Sequence, residues 1–293
     1  ELCEHVMRPG KRKKLILMPR NSYKSSVITV GYTMHSLLNN PDERILLAGE
    51  TQKNAVRFAN EIKQHYETNQ KFRRLYGDWT NEGNTWRSGE LIVRPRRAIK
   101  KEASITTGSL EKGILVGTHF SKIILDDVVS RTNTMNPNQI SKTLDFYRLL
   151  LSILDPDGTI VIVGTRWNYL DLYGFLQSEE NPERAQFSVF IRKADDGDGR
   201  IVGSPLMPQI LSKDFLISQR EAQGESVYAH QYLNIAFSSE EQTFKPEWVR
   251  FYDKPPEGLC HFMTVDPAIS LEQDADSTGI IVTGCDWHHN WFI

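Results

Sequence analysis

Two uninterrupted apolar runs, Ile123-Ile124-Leu125 and Ile160-Val161-Ile162-Val163, end abruptly in polar residues: Asp126-Asp127 in one case, Gly164-Thr165-Arg166 in the other. A strand with one wet face alternates apolar and polar residues. A strand apolar throughout is covered on both faces, the situation of central strands in a parallel sheet. LILM (15–18), RILLAGE (44–50), LIVR (91–94) and SITTGS (104–109) read as further strands. Helical spacing fills the gaps, from Ser25, then through Ala55, Phe58, Ile62 and Tyr66, and as a crossover over 138–154 through Ile140, Leu144, Tyr147 and Leu151. This βαβ order predicts an α/β fold, a mainly parallel sheet flanked by helices. After a polar stretch at 194–200, helical segments at 211–224 and 227–234 close the pattern near Phe237, so residues 1–237 read as one domain. A linker follows over 238–260. Residues 261–293 then read as three strands with a turn at Trp287–Asn290, too few to bury a core alone.

Composition sets the outer limits. With 293 residues, 39% of them hydrophobic, the chain has enough apolar surface for one substantial core and part of a second. No run of eighteen apolar residues occurs and the opening lacks the apolar centre of a signal peptide, so no membrane association is expected and the expected compartment is cytoplasmic. Cys3, Cys260 and Cys285 are too scattered for a disulfide framework or a cysteine zinc site. A net charge of -2 leaves nucleic-acid contact to local patches, Lys11 to Lys14 and Arg94, Arg96, Arg97, Lys100 and Lys101; the ordinary reading of each is a solvated loop. Cys285, Asp286, His288 and His289 read as a hairpin turn rather than a metal site.

The first strand runs directly into Pro19-Arg20-Asn21-Ser22-Tyr23-Lys24-Ser25-Ser26 and then a helix. That is the setting of a phosphate-binding loop, in which backbone N–H groups and a helix start cradle phosphates, a lysine reaches the outer phosphates and the next hydroxyl meets Mg²⁺. Lys24 and Ser25 suit those roles. Both glycines of the usual pattern are absent, with Met18 and Tyr23 in their places, so either Tyr23 adopts backbone angles that glycine takes more readily or the loop follows a slightly different path.

Asp126 and Asp127 stand at the carboxyl end of a buried strand, where open α/β sheets bind ligands. Asp126 is the candidate Mg²⁺ ligand and Asp127 the candidate for orienting or deprotonating the attacking water. Gly164, Thr165 and Arg166 end the other buried run, and a polar residue there is placed to sense a γ-phosphate. Phosphate loop, acidic strand end and polar strand end, in that order, describe an ASCE-type P-loop ATPase.

The segments LDDVVSRTN and GTIVIVGTRWNYLDLYG resemble the large-subunit family of bacteriophage terminases, and QYLN (231–234), FKPEWVRFY (244–252) and VDPAIS...DADSTGIIV (265–282) extend the likeness over nearly the whole chain. The resemblance implies a ring of subunits on the portal of a procapsid, served by a small terminase subunit, translocating double-stranded DNA with ATP and Mg²⁺ in the host cytoplasm. It also implies a C-terminal RNase H-like nuclease using Mg²⁺ or Mn²⁺, of which 261–293 holds the opening strands. By position, Lys24 and Ser25 match the Walker A pair within the loop Arg20 to Ser26, Arg20 its arginine, Asp126 and Asp127 the Walker B pair, Thr165 the coupling motif, and Asp266 the first nuclease metal ligand. Asp274 and Asp276 are poor substitutes for the other nuclease acids, so the sequence as it stands is expected to be nuclease-inactive. GILVGTHFSK lacks the arginine that usually precedes the Walker B strand; Lys112, His119 and Arg131 are the candidates for a trans-acting finger. Two other readings stay open: a docking module that kept the fold without turnover, and a helicase-like ATPase.

Overall fold

A computed structural model describes residues 1–112, 117–179, 181–236, 254, 256–267, 279–288 and 290–292. The chain divides into two compact units, Glu1–Phe237 and Ser238–Ile293.

The first unit opens with α1 (Leu2–Met7) and β1 (Lys13–Leu17), then a π-helical segment, Ser26–Tyr32, that continues into α2 (Thr33–Asn39). Next come β2 (Ile45–Gly49), α3 (Gln52–Thr68), α4 (Gln70–Tyr76), a short hairpin of β3 (Trp86–Arg87) and β4 (Glu90–Leu91), β5 (Ile105–Ser109) and β6 (Phe120–Asp126). The crossover helix α5 (Pro137–Ser152) leads to β7 (Leu154–Gly164), α6 (Leu172–Gln177) and β8 (Phe187–Ile191). Helices α7 (Lys213–Gln223) and α8 (Glu225–Tyr228) and a π-turn, Ala229–Leu233, finish the unit.

These strands form one eight-stranded sheet in the order β3-β4-β5-β2-β6-β7-β1-β8. From β5 to β8 every pair is parallel, whereas at the other edge β3 pairs antiparallel with β4 and β4 antiparallel with β5. The expected mainly parallel α/β sheet is what the chain forms. β7 lies between β1 and β6, with Leu17 opposite Gly164 and Asp126 opposite Val163. The register thus brings the three polar strand ends to one edge.

Side-chain alternation explains how the sheet is buried. Ile16, Ile45, Leu47, Ile124, Val161 and Val163 join the core beneath α2 and α3, whereas Leu15, Leu17, Leu46, Ile123, Leu125, Ile160 and Ile162 join the core beneath α5 and α6. Each buried aliphatic side chain contributes about 1.5–3 kcal/mol of transfer free energy, so these two layers dominate the unit's stability. Caps fix the flanking helices: the Thr51 side chain accepts from Asn54 N at the start of α3, and Asn136 accepts from Gln139 N at the start of α5, where Pro137 occupies the first turn.

Three expectations need correction. LIVR supplies only Leu91 to a strand, because Ile92 N and Arg94 N donate to Thr85 O and Trp79 O in the preceding loop instead of the sheet. Phe187–Ile191 is a strand that the pattern did not announce. The basic run at Lys11 to Lys14 is a solvated loop only at Lys11 and Arg12: Lys13 and Lys14 belong to β1, Lys14 is 4% exposed with its Nζ donating to His5 O and Arg8 O, and Lys13 pairs with Glu183 at 2.7 Å. In the second patch, Arg96 donates to Ala98 O and Glu102 O, Arg94 pairs with Asp78 and Lys101 donates to Gly117 O.

In the second unit β9 (Cys260–Asp266), β10 (Gly279–Cys285) and β11 (Trp291–Phe292) form an antiparallel sheet. Asp286 accepts from His288 N and Asn290 N, and Trp287 and His288 form a turn after β10, as the sequence indicates. Residues 238–253 of the expected linker, the 268–278 segment with Asp274 and Asp276, and 113–116 before the acidic strand lie outside the described residues. Among the described residues, no helix is long and apolar enough to cross a membrane.

Candidate functional site

Leaving the sheet at Leu17, the chain turns sharply between β1 and the π-helical segment, and two residues of that turn adopt left-handed backbone angles, Asn21 at φ 63 and Tyr23 at φ 59. Of the two possibilities for the missing glycine, Tyr23 takes the glycine-like backbone conformation. Left-handed residues in such loops turn successive N–H groups toward one concave surface, suited to an anion. The Ser22 hydroxyl donates to Pro19 O at 2.7 Å and closes the turn from below. Arg20, on the rim, is tied twice to the distant π-turn: its N–H donates to Gln231 O at 2.8 Å and its guanidinium to the Gln231 side-chain oxygen at 3.2 Å.

Register does the rest. The Ser25 hydroxyl donates to Asp126 Oδ1 at 3.0 Å, and Thr29 Oγ1 donates to Oδ2 of the same carboxylate. Lys24 Nζ, almost buried, lies 3.5 Å from Asp127 Oδ2. Asp127 itself is left-handed (φ 43), its N–H donating to Val163 O, which lifts a half-exposed carboxylate over the end of β6. Residues Arg20 through Ser26 and Asp127 line a cleft of ≈ 420 Å³. A larger cleft along α3 (≈ 740 Å³) has no such convergence of cation, hydroxyl and paired acids, so chemistry rather than size selects the site.

Thr165 follows Gly164 between the loop and the acids, and is 7% exposed. Gly164 is required there by close approach, since a Cβ would meet the Tyr173 hydroxyl at 2.1 Å. Arg166, expected as a cation at this edge, turns aside: its Nε lies 3.6 Å from the buried Asp171 carboxylate, and its terminal N–H donates to Asn168 O. Asp171 also accepts from Trp167 N, Asn168 N and Gly174 N, capping α6.

Electrostatics separates the two acids. Burial, and then the negative charge of Asp127, raise the Asp126 carboxyl to about 7, against smaller opposing effects of Thr29, Lys24 and Ser25. A bound cation would remove that penalty. One hydroxyl and one carboxylate, hard oxygen donors at hydrogen-bond separation beside an anion-sized cleft, fit a magnesium ion shared with phosphates. His230, beside Trp167, is held below its ordinary range by burial and then by Arg166 and Arg131.

Of the anticipated residues, Arg20 through Ser26, Asp126, Asp127 and Thr165 share one sheet edge. Asp266 is in the second unit, at the end of β9, and among the described residues no group of three or more His, Cys, Asp or Glu gathers to hold a metal. Lys112 and Arg131 follow β5 and β6 at the same edge as the cleft, whereas His119 precedes β6 at the other. Thr29, Gln231 and Asn234 were not singled out for this site by sequence. Asn234 is left-handed (φ 53), accepts from Arg166 N at 3.3 Å and donates to Arg192 O at 2.8 Å, linking the ends of β7 and β8.

No protein-family model and no curated protein matches the sequence. Solved structures do. An arginine-to-alanine variant of the Thermus phage P74-26 large terminase ATPase domain matches with a TM-score of 0.52 at 14% identity, over 80% of this chain and 92% of that one. The same domain without the substitution gives 0.48 at 14% identity over 81% and 93%, and the Phi-28 gp11 DNA packaging motor gives 0.46 at 11% over 89% and 74%. The first match shows that the chain has the α/β fold of a phage large terminase ATPase domain, so the resemblance carried by its motifs is met at the level of fold.

Proposed function

We propose, with that fold as premise, that this chain is an ATP-hydrolysing motor that moves double-stranded viral DNA into a procapsid. The observation carrying the proposal is the convergence, across about a hundred residues of sequence, of Lys24 with Asp127 and of Ser25 with Asp126 beside the cleft lined by Arg20 through Ser26. In this reading the loop N–H groups and Lys24 bind the triphosphate, and Ser25 and Asp126 hold Mg²⁺. When bound, the ion would neutralise phosphate charge during transfer to water. Asp127, exposed on the cleft side, orients the water and accepts its proton. Thr165 places a hydroxyl between loop and acids to register the terminal phosphate, and Arg20 is held by Gln231 within reach of the cleft rim.

The packaging role rests on the terminase resemblance and implies a ring on the portal, with a small terminase subunit as partner, in the host cytoplasm. Lys112, His119 and Arg131 are the candidates for the trans-acting finger, and of these Lys112 and Arg131 follow strands that end at the edge of the cleft. The second unit is read as part of an RNase H-like nuclease with Asp266 as a metal ligand.

ATP hydrolysis by the purified protein, compared with Lys24→Ala in the presence of DNA and portal, tests the motor reading. Turnover above the variant supports it; equal rates leave a docking module. Loss of Mn²⁺ binding to the second unit in Asp266→Asn would support the reading of that unit; unchanged binding would overturn Asp266 as a ligand.

A further inference from the structure

We propose that Thr29 is a positioning residue of the Mg²⁺ site, fixing the rotation of the Asp126 carboxylate from the side opposite the cleft. The inference rests on the nucleotide reading above and adds a residue to it. Ser25, Thr29 and Thr33 recur at four-residue spacing and so share one face of the helical segment behind the phosphate loop. Ser25, half-buried at the cleft, donates to one oxygen of Asp126, and Thr29, 1% exposed, donates to the other. Thr33, fully buried, donates to Thr29 O at 2.6 Å and supports the turn from below.

The segment that carries Thr29 and Thr33 packs into apolar surroundings. Ile28, Val30 and Leu37 on the same segment, and Ile16, Ile124, Val161 and Val163 on the sheet, form a continuous core. Valine has nearly the shape of threonine, and a buried hydroxyl is unfavourable unless bonded. A threonine in this core is therefore explained by what its hydroxyl holds, which is Asp126. Held through one oxygen, a carboxylate still turns about its Cβ–Cγ bond; held through both, it presents one oxygen in a constant direction. Because Thr29 lies too deep to touch a ligand, its action is through Asp126 alone. Partners that orient a metal ligand in this way typically change metal affinity by about 10–100-fold when removed.

The test uses the full chain with Mn²⁺ as a paramagnetic stand-in for Mg²⁺. Mn²⁺ is titrated by electron paramagnetic resonance in the presence of a non-hydrolysable ATP analogue, and binding of a fluorescent ATP analogue is measured separately in EDTA. Thr29→Val is expected to raise the half-saturating Mn²⁺ about tenfold while leaving metal-free nucleotide binding unchanged. Thr29→Ser, which restores the hydroxyl, is expected within about twofold of the parent. If Thr29→Val does not fold, Thr29→Cys replaces it, since a thiol of similar size donates only weakly. A Mn²⁺ curve for Thr29→Val superimposable on the parent's overturns the proposal. So does equal weakening of metal-free binding, which marks general loosening of the loop. Absence of any Mn²⁺-nucleotide binding by the parent protein overturns the nucleotide reading itself, and this inference with it.

Discussion

Lys24 Nζ lies 3.5 Å from the Asp127 carboxylate, so the cation that would receive a phosphate already faces the acid that would prepare the water. Nothing in the core requires a lysine there. Lys24→Ala is therefore expected to lower ATP turnover by about 100-fold or more, the usual scale for deleting one preorganised charge donor. A steady-state phosphate-release assay checks it, and circular dichroism should show the fold intact.

Tyr23 holds φ 59 with 64% of its surface exposed, so it contributes strain and little burial. Forcing a non-glycine residue into this region costs about 1–2 kcal/mol. Tyr23→Gly should consequently leave the denaturation midpoint unchanged or raised. Tyr23→Val, β-branched and less tolerant of positive φ, should lose about 1–2 kcal/mol in a urea titration.

The raised Asp126 carboxyl sets a pH dependence. Its native value of about 7 lies above the ordinary 3.8, so the native state keeps a proton that the unfolded chain releases. That stabilisation is complete below the unfolded value and is lost as pH rises through the native one. Without metal, the thermal midpoint of the parent protein should therefore fall between about pH 5 and 7.5 more than that of Asp126→Asn. Mg²⁺ takes the place of the proton, so metal-dependent nucleotide binding should strengthen over the same interval.

Asn234 carries a load of its own. Its side chain bridges Arg166 N and Arg192 O from a left-handed backbone. Asn234→Ala removes both bonds and keeps an unfavourable φ, for an expected loss of about 1–3 kcal/mol. Asn234→Gly, which relieves the backbone only, should lose less; differential scanning calorimetry distinguishes the two.

What could be read in advance follows from how local each signal is. The runs at Ile123–Leu125 and Ile160–Val163 declare central strands because burial on both faces leaves no polar alternation. Their polar ends declare the site because parallel strands finish at a common edge. Phe187–Ile191 gave no such signal: as an edge strand with Val189 and Ile191 exposed, it is short and neither continuously apolar nor cleanly alternating. Gln231 and Asn234 were visible as part of a resemblance but not as partners of Arg20 and Arg166, since no local pattern encodes a contact spanning 211 or 68 residues. Thr29 was hidden for a simpler reason: threonine within a helix reads as a weak propensity, and its meaning appears only once Asp126 is beneath it.

The pairing of β1 has a consequence for how the protein is made. Residues 13–17 find their ladder partners at 160–164 and 187–191, and the loop that follows waits for Gln231. At translation rates of about 5–20 residues per second, the first strand leaves the ribosome on the order of ten to thirty seconds before its outer neighbour exists. During that interval its apolar side chains are open to aggregation, and the chaperone demand of the nascent chain should concentrate on residues 13–17.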